Sequence, residues 1–151
     1  VRESKDFLQK YFKKELFFTD VEGKTKDEIL KNLCRKVEQE KGLPETFTAS
    51  VLKREELTPT DYGNLVALPH PERAFQERAF VAVAVLKEPI FWFRQTVQVV
   101  FLTAIGREED ENLQQFYEAT TDLILRPADV QNLIRHPDYD RLIQLLRRAE
   151  E

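Results

Sequence analysis

Methionine is absent from all 151 residues, the first position included, and there are only four glycines and one cysteine. A chain without a starting Met is expected to be processed or cut from a longer protein. One thiol, Cys34, cannot close an internal disulfide and has no thiol companions for a Cys-based zinc site. Its solitary presence fits a reducing compartment, so a cytoplasmic location is expected. Long apolar runs are also missing. The longest, Ala79 to Leu86 and Val97 to Ile105, fall well short of the roughly 18 residues that cross a bilayer, and no signal-peptide pattern opens the chain, so no membrane insertion is expected. Charge of one sign is lacking too: 23 basic against 27 acidic residues leave a net charge of -4. No overall field gathers phosphate backbones, which argues against direct nucleic-acid binding by this segment. The glycine-rich phosphate loop, the paired-His zinc motif, the GxSxG elbow and the CxxC pair are all absent. The expectation is therefore no metal and no cofactor.

What is present is the composition of a packed domain, 42% hydrophobic and 33% charged, which excludes disordered and low-complexity classes. A single domain over residues 1–151 is expected. Phe7, Leu8, Tyr11 and Phe12 stand at helical spacing, predicting a short helix over Lys5 to Lys14 and then a strand over Glu15 to Val21. Ile29, Leu30, Leu33 and Val37 form one helical face between Thr25 and Lys41, with Thr25 and Glu28 as a capping box and Gly42 as a stop. Thr46 to Glu56 reads as another helix, closed by Pro59. The period then changes. Leu65 to Leu68, Arg78 to Leu86 and Val97 to Ile105 have the composition and length of buried strands. After Gly106 helical spacing returns, with the acidic run Glu108 to Glu111 placed where a helix N-terminus favours it. Shorter helices follow over Pro127 to Ile134 and Tyr139 to Arg148. This order predicts an α/β fold, a three-layer sandwich with a mixed β-sheet and helices on both faces.

Few residues stand out as chemistry. Glu55 and Asp61 have the types needed for acid–base work, but carboxylates at such spacing are ordinarily solvated surface charge, and that is how they are read. His136, in Arg135-His136-Pro137-Asp138, reads as a turn between two helices. His70 differs. It ends the apolar run Leu65-Val66-Ala67-Leu68 between Pro69 and Pro71, and strand ends in α/β sheets are where reacting groups collect. Prolines on both sides restrict the backbone and hold the ring in one place, and imidazole is the most versatile acceptor of protons or phosphoryl groups.

The stretch from Val51 to Pro71, with Arg54-Glu55 closing a helix, Thr60 and Gly63 following, and an apolar strand ending in Pro69-His70, resembles the fructose/mannitol-type enzyme IIA domains of the bacterial sugar phosphotransferase system. The likeness continues through Glu88-Pro89-Ile90-Phe91-Trp92 and Val97 to Ile105 into the helical tail, covering essentially the whole chain. The resemblance implies that His70 accepts a phosphoryl group from the carrier protein HPr or from an enzyme IIB. It also implies that Arg54, sixteen residues upstream, is the phosphate partner. Chemistry agrees, since a guanidinium offers a planar fork of donors to the oxygens of a transferring phosphoryl group. Thr60, Gly63, Asn64 and Asn112 are supporting candidates, with backbone N–H groups near Gly63 and Asn64 as possible donors.

Two departures bear on the role. Gly63-Asn64-Leu65 stands where many members have Gly-Glu-Gly or Gly-Asn-Gly, and Asn112-Leu113 stands where transporter-type members carry a second histidine before Leu. In these respects the chain looks more like the IIA-like domain at the C-terminus of BglG-type transcriptional antiterminators and activators. The expected function is a phosphorylation-sensitive module for carbohydrate genes, with the nucleic-acid-binding and regulatory domains upstream in a longer parent. The alternatives are a catalytic enzyme IIA passing phosphoryl groups from HPr to enzyme IIB for sugar uptake, and an interaction domain of the same fold that is not phosphorylated.

Overall fold

The computed structural model describes residues 7–149. The elements run α1 (Leu8–Tyr11), β1 (Phe12–Phe18), α2 (Lys26–Lys41), α3 (Thr46–Leu57), β2 (Asp61–Gly63), β3 (Val66–Ala67), β4 (Phe80–Phe91), β5 (Thr96–Ala104), α4 (Leu113–Ile124), α5 (Pro127–Arg135) and α6 (Tyr139–Ala149). The five strands form one sheet in the order β1-β4-β5-β3-β2. β1 is parallel to β4 and β3 is parallel to β5, while β4–β5 and β2–β3 pair antiparallel. The sheet is mixed, as expected.

Alternation along the central strands divides the core in two, because successive side chains leave a strand on opposite faces. Val81, Val83, Val85, Val99 and Phe101 pack on one face with Leu8, Tyr11, Phe116, Leu123, Leu133, Leu142 and Leu146. Phe80, Ala82, Ala84, Val100 and Leu102 pack on the other with Ile29, Leu33, Val37, Phe47 and Val51. One helical layer is thus α1, α4, α5 and α6, the other α2 and α3. The alanines of β4 face the α2 and α3 side chains, and its valines fill the opposite side. This is the three-layer sandwich the sequence pattern predicts.

Boundaries differ in instructive ways. Residues 5–6 of the first predicted helix lie outside the described residues, and the helix ends at Tyr11, not Lys14. β1 begins at Phe12 and ends at Phe18, before Val21. Its register slips between Phe12 and Phe17, so Phe12 joins the α4-side core while Leu16 joins the α2-side core. Regular alternation would put both on one face, and the irregularity makes the run read as helix. At α2 the Thr25 hydroxyl oxygen accepts the Glu28 N–H at 3.2 Å, but the Glu28 carboxylate reaches back to the N–H of Lys24. The acidic run 108–111 precedes α4 and lies outside its first turn. Gly106 permits the preceding loop to close against β4: a Cβ there would stand 2.2 Å from the Glu77 carbonyl oxygen.

Candidate functional site

β3 is only two residues long, so the backbone on either side decides where the residues that follow it stand. The two-residue turn between β2 and β3 has Asn64 at φ 52° and Leu65 at φ 69°, after Gly63 at φ 127°. Two consecutive positive φ values give a hairpin turn whose twist matches the sheet, and Leu65 adopts it at a steric cost that glycine would not incur. The Asn64 amide donates to the Ile124 carbonyl at 2.5 Å. The Leu65 carbonyl accepts the N–H groups of Gln98 and Val99 at 2.8 and 2.9 Å. These bonds lock the start of β3.

At the other end of β3 the chain continues through Leu68 and Pro69 to His70. Leu68 N–H donates to the Thr60 carbonyl at 3.0 Å, and Thr103 N–H donates to the Pro69 carbonyl at 3.0 Å. His70 is half-buried, with Nδ1 facing the Leu68 carbonyl oxygen at 3.4 Å. A carbonyl oxygen only accepts, so this contact is a hydrogen bond only in the tautomer with hydrogen on Nδ1, which leaves the lone pair on Nε2. Past Pro71, the Glu72 N–H donates to the buried Ser50 hydroxyl at 2.7 Å. The histidine is pinned on both sides.

Ser50 belongs to α3, and Arg54 lies one turn further along the same face. Arg54 is half-buried and its Nη1 donates to the Thr58 carbonyl at 2.9 Å. No other hydrogen bond of the guanidinium fork is made among the described residues. Thr60 closes the loop between Arg54 and the end of β3, because its carbonyl receives Leu68 while its own N–H and hydroxyl both donate to Glu55. The structure therefore brings His70, Arg54 and Thr60 to one edge of the sheet.

Gly63 and Asn64 are placed elsewhere. They form the turn at the opposite end of β3, and the extended chain from Asn64 to His70 spans on the order of 20 Å at the usual strand rise. Asn112 begins α4, which follows β5, and β5 is parallel to β3. That topology puts Asn112 on the His70 side of the sheet. Its backbone N–H donates to Asp110 at 3.0 Å and its amide to Gln115 at 3.1 Å. His136 caps the C-terminal end of α5 and is exposed, in keeping with its turn reading.

Glu55 corrects its reading as solvated charge. It is 2% exposed. Besides Thr60, the Trp92 indole N–H donates to it at 2.8 Å. Asp61, half-buried, accepts the N–H groups of Phe93, Arg94 and Gln95 at 3.3, 2.6 and 2.7 Å. Burial opposes its charged form, yet the N–H groups of Arg94, Gln95 and Phe93 outweigh that and hold the carboxyl below the usual range. Both carboxylates are clamps that tie the end of α3 and the start of β2 to the β4–β5 hairpin. Neither is arranged as an acid–base pair. Ser50, Glu55 and Trp92 were not legible as parts of this edge. The available signals were the Arg54-Glu55 pair at a helix end and the single tryptophan, whose indole N–H needs an acceptor when buried.

The geometry thus gives a histidine at a strand end and an arginine at a helix end, both tied to the loop of residues 58–60. Comparison with known proteins supplies the family. The family described as "Phosphoenolpyruvate-dependent sugar phosphotransferase system, EIIA 2" matches residues 10–149. The chain belongs to this family. It is 35% identical over 140 residues to the probable licABCH operon regulator of Bacillus subtilis (strain 168), covering 93% of this chain and 22% of that protein. It is 26% identical over 120 residues to the transcriptional regulator ManR of the same organism, covering 80% of this chain and 18% of ManR. The chain thus spans about a fifth of the length of these two regulators. Among solved structures, enzyme IIAMTL of Escherichia coli, in complex with phosphorylated enzyme IIBMTL, superposes with a TM-score of 0.72. That match has 18% identity and covers 89% of this chain and 97% of that one, so this EIIA 2 domain shares its fold. No helix among the described residues is long and apolar enough to cross a membrane.

Proposed function

We propose that this EIIA 2 domain is a regulatory phosphohistidine module, in which Nε2 of His70 accepts a phosphoryl group and the added charge acts on other parts of a carbohydrate-operon regulator. The observation that carries the reading is the contact of His70 Nδ1 with the Leu68 carbonyl, at the edge where α3 carries Arg54. The donor is a phosphorylated carrier protein, HPr or an enzyme IIB. The Nε2 lone pair forms a bond to phosphorus as the bond between phosphorus and the donor's side chain breaks, and that bond's electron pair returns to the donor side chain. Hydrogen stays on Nδ1, where the Leu68 carbonyl stabilises the positive charge that develops on the ring. The Arg54 guanidinium meets the phosphoryl oxygens, and the reaction relies on positioning and charge rather than on further covalent chemistry.

The regulatory part of the proposal rests on the likeness to two operon regulators, of which the chain spans about a fifth, and on Asn112 in place of a second histidine. A phosphoryl group adds roughly 1.5 to 2 negative charges near neutral pH, taking phosphorylated hydroxyl side chains as a guide. That charge alters contacts with neighbouring domains without any onward transfer. The test is incubation with phosphoenolpyruvate, enzyme I, HPr and an enzyme IIB, followed by intact-mass measurement. One phosphoryl group should be added and lost in mild acid. His70→Ala should abolish it and His136→Ala should not. Undiminished labelling of the His70→Ala protein would overturn the assignment.

A further inference from the structure

Glu55 is buried at the end of α3 and touches neither His70 nor Arg54 through any hydrogen bond, yet its bonds converge on the backbone between them. Its Oε2 accepts the Thr60 N–H at 2.8 Å and the Trp92 indole N–H at 2.8 Å, and its Oε1 accepts the Thr60 hydroxyl at 2.7 Å. Thr60 in turn holds the N–H of Leu68, whose carbonyl faces His70 Nδ1. The same short loop supplies the Thr58 carbonyl that receives the Arg54 guanidinium. Residues 58–60 therefore connect to both members of the proposed site, and Glu55 holds that loop. We infer that Glu55 is a positioning residue for phosphoryl acceptance: through Thr60 it sets the Leu68 carbonyl that selects the His70 tautomer, and the Thr58 carbonyl that aims Arg54. This rests on the phosphohistidine reading of the site.

A carboxylate suits the task because it only accepts, and here three donors from two directions meet two oxygens. A side chain serving by its negative charge would fail as the amide. A positioning group need not, because Gln places a carbonyl oxygen at Oε2 for Thr60 N–H and Trp92, and its NH₂ at Oε1 donates to a Thr60 hydroxyl turned to accept. Leucine has similar bulk and accepts nothing, leaving the Thr60 N–H and the Trp92 indole unpaired. Trp92 is the only tryptophan, so its emission reports the state of this network directly.

The experiment uses wild type, Glu55→Gln, Glu55→Leu and the double variant Thr60→Val/Trp92→Phe, the last removing two of the three bonds while keeping the carboxylate. Initial rates of His70 loading are measured against the concentration of phospho-HPr. In parallel, ¹⁵N spectra of the histidine ring report its tautomer in the unphosphorylated protein. Glu55→Gln should keep the saturating rate within about threefold of wild type, with hydrogen on Nδ1 of His70. Glu55→Leu, checked for cooperative unfolding, should lose at least tenfold in saturating rate with its half-saturating donor concentration within about threefold. It should also show a mixed tautomer and a shifted Trp92 emission. If Glu55→Leu does not fold, the double variant should show a loss of about fivefold with the same mixed tautomer. A folded Glu55→Leu, or in its place the double variant, with wild-type rate and wild-type tautomer would overturn the inference. So would a folded Glu55→Gln protein that keeps the Nδ1 tautomer but cannot be loaded. Failure of wild type itself to load would instead count against the phosphohistidine reading, and the tautomer comparison, which needs no donor, would still decide whether Glu55 positions the ring.

Discussion

At its N-terminal end β3 leaves a turn with two positive φ values, and the Asn64 amide is bonded to the last turn of α4. At its C-terminal end the chain runs Pro69-His70-Pro71 and is bonded to α3 through Ser50, and to Thr60 through Leu68. The first end is fastened to one helical layer, the second to the other. A strand two residues long contributes little stiffness of its own, so each end takes its geometry from the layer that holds it. The proposed site therefore depends on α3 and its loop far more than on α4. On the proposed reading, the turn at Asn64 serves folding and the proline-flanked end serves chemistry.

Changes on the α3 side should separate from changes at the turn. Arg54→Ala should have the largest effect, slowing His70 loading on the order of a hundredfold, the scale of losing a donor to a developing oxyanion. Arg54→Lys should recover part of that, because it restores charge without the planar fork. Stopped-flow or quenched loading assays check both, and an unchanged rate in the alanine variant would remove Arg54 from the site. Next in size is Ser50→Ala, which frees the Glu72 N–H. It should cost about 1 kcal/mol of stability and slow loading by about fivefold, the same energy read as a rate. Asn64→Ala is its counterpart at the other end. It should cost about 1–2 kcal/mol, from a lost hydrogen bond and an alanine at positive φ, while loading stays within about twofold of wild type. Urea titrations and loading rates on both variants decide the matter, and a loading defect in Asn64→Ala would break the contrast between the two ends.

The smallest expected effect is a pH dependence. Asp61 keeps its carboxyl below the ordinary range because three backbone N–H groups favour its charged form against the cost of burial. A depressed folded value contributes stability above the unfolded value, about pH 4, and that contribution is lost as pH falls through the folded value. Asp61→Asn should lower the urea midpoint at neutral pH and flatten its decline between about pH 4 and pH 2. An unchanged acid profile would mean that the clamp on residues 93–95 contributes nothing.

The layers, the sheet's mixed character and most helices were legible because their signals are local: the Thr25 cap, the Gly42 stop, and the alternating valines and alanines of β4. β1 was misplaced because its register slips between Phe12 and Phe17, which destroys the period that identifies a strand. β2 was missed because three residues carry no period at all. The strand-end position of His70 and the helix-end position of Arg54 were legible, and what they do there rests on the proposed function. The roles of Glu55 and Asp61 were not, since a carboxylate that accepts backbone and indole N–H groups from distant segments has the same sequence signature as one in water. Gly63 and Asn64 are close to His70 in sequence, but an extended strand carries them to the other end of β3.

The most direct test of the central claim loads the domain with labelled phosphoryl groups, mixes it with fructose- and mannitol-type enzyme IIB proteins and the matching membrane components, and follows label and sugar phosphate together. The account predicts a phospho-form on His70 that persists, with Asn112→His gaining transfer. Rapid and sustained sugar-phosphate production that depends on His70 would contradict it and make the domain a transport enzyme.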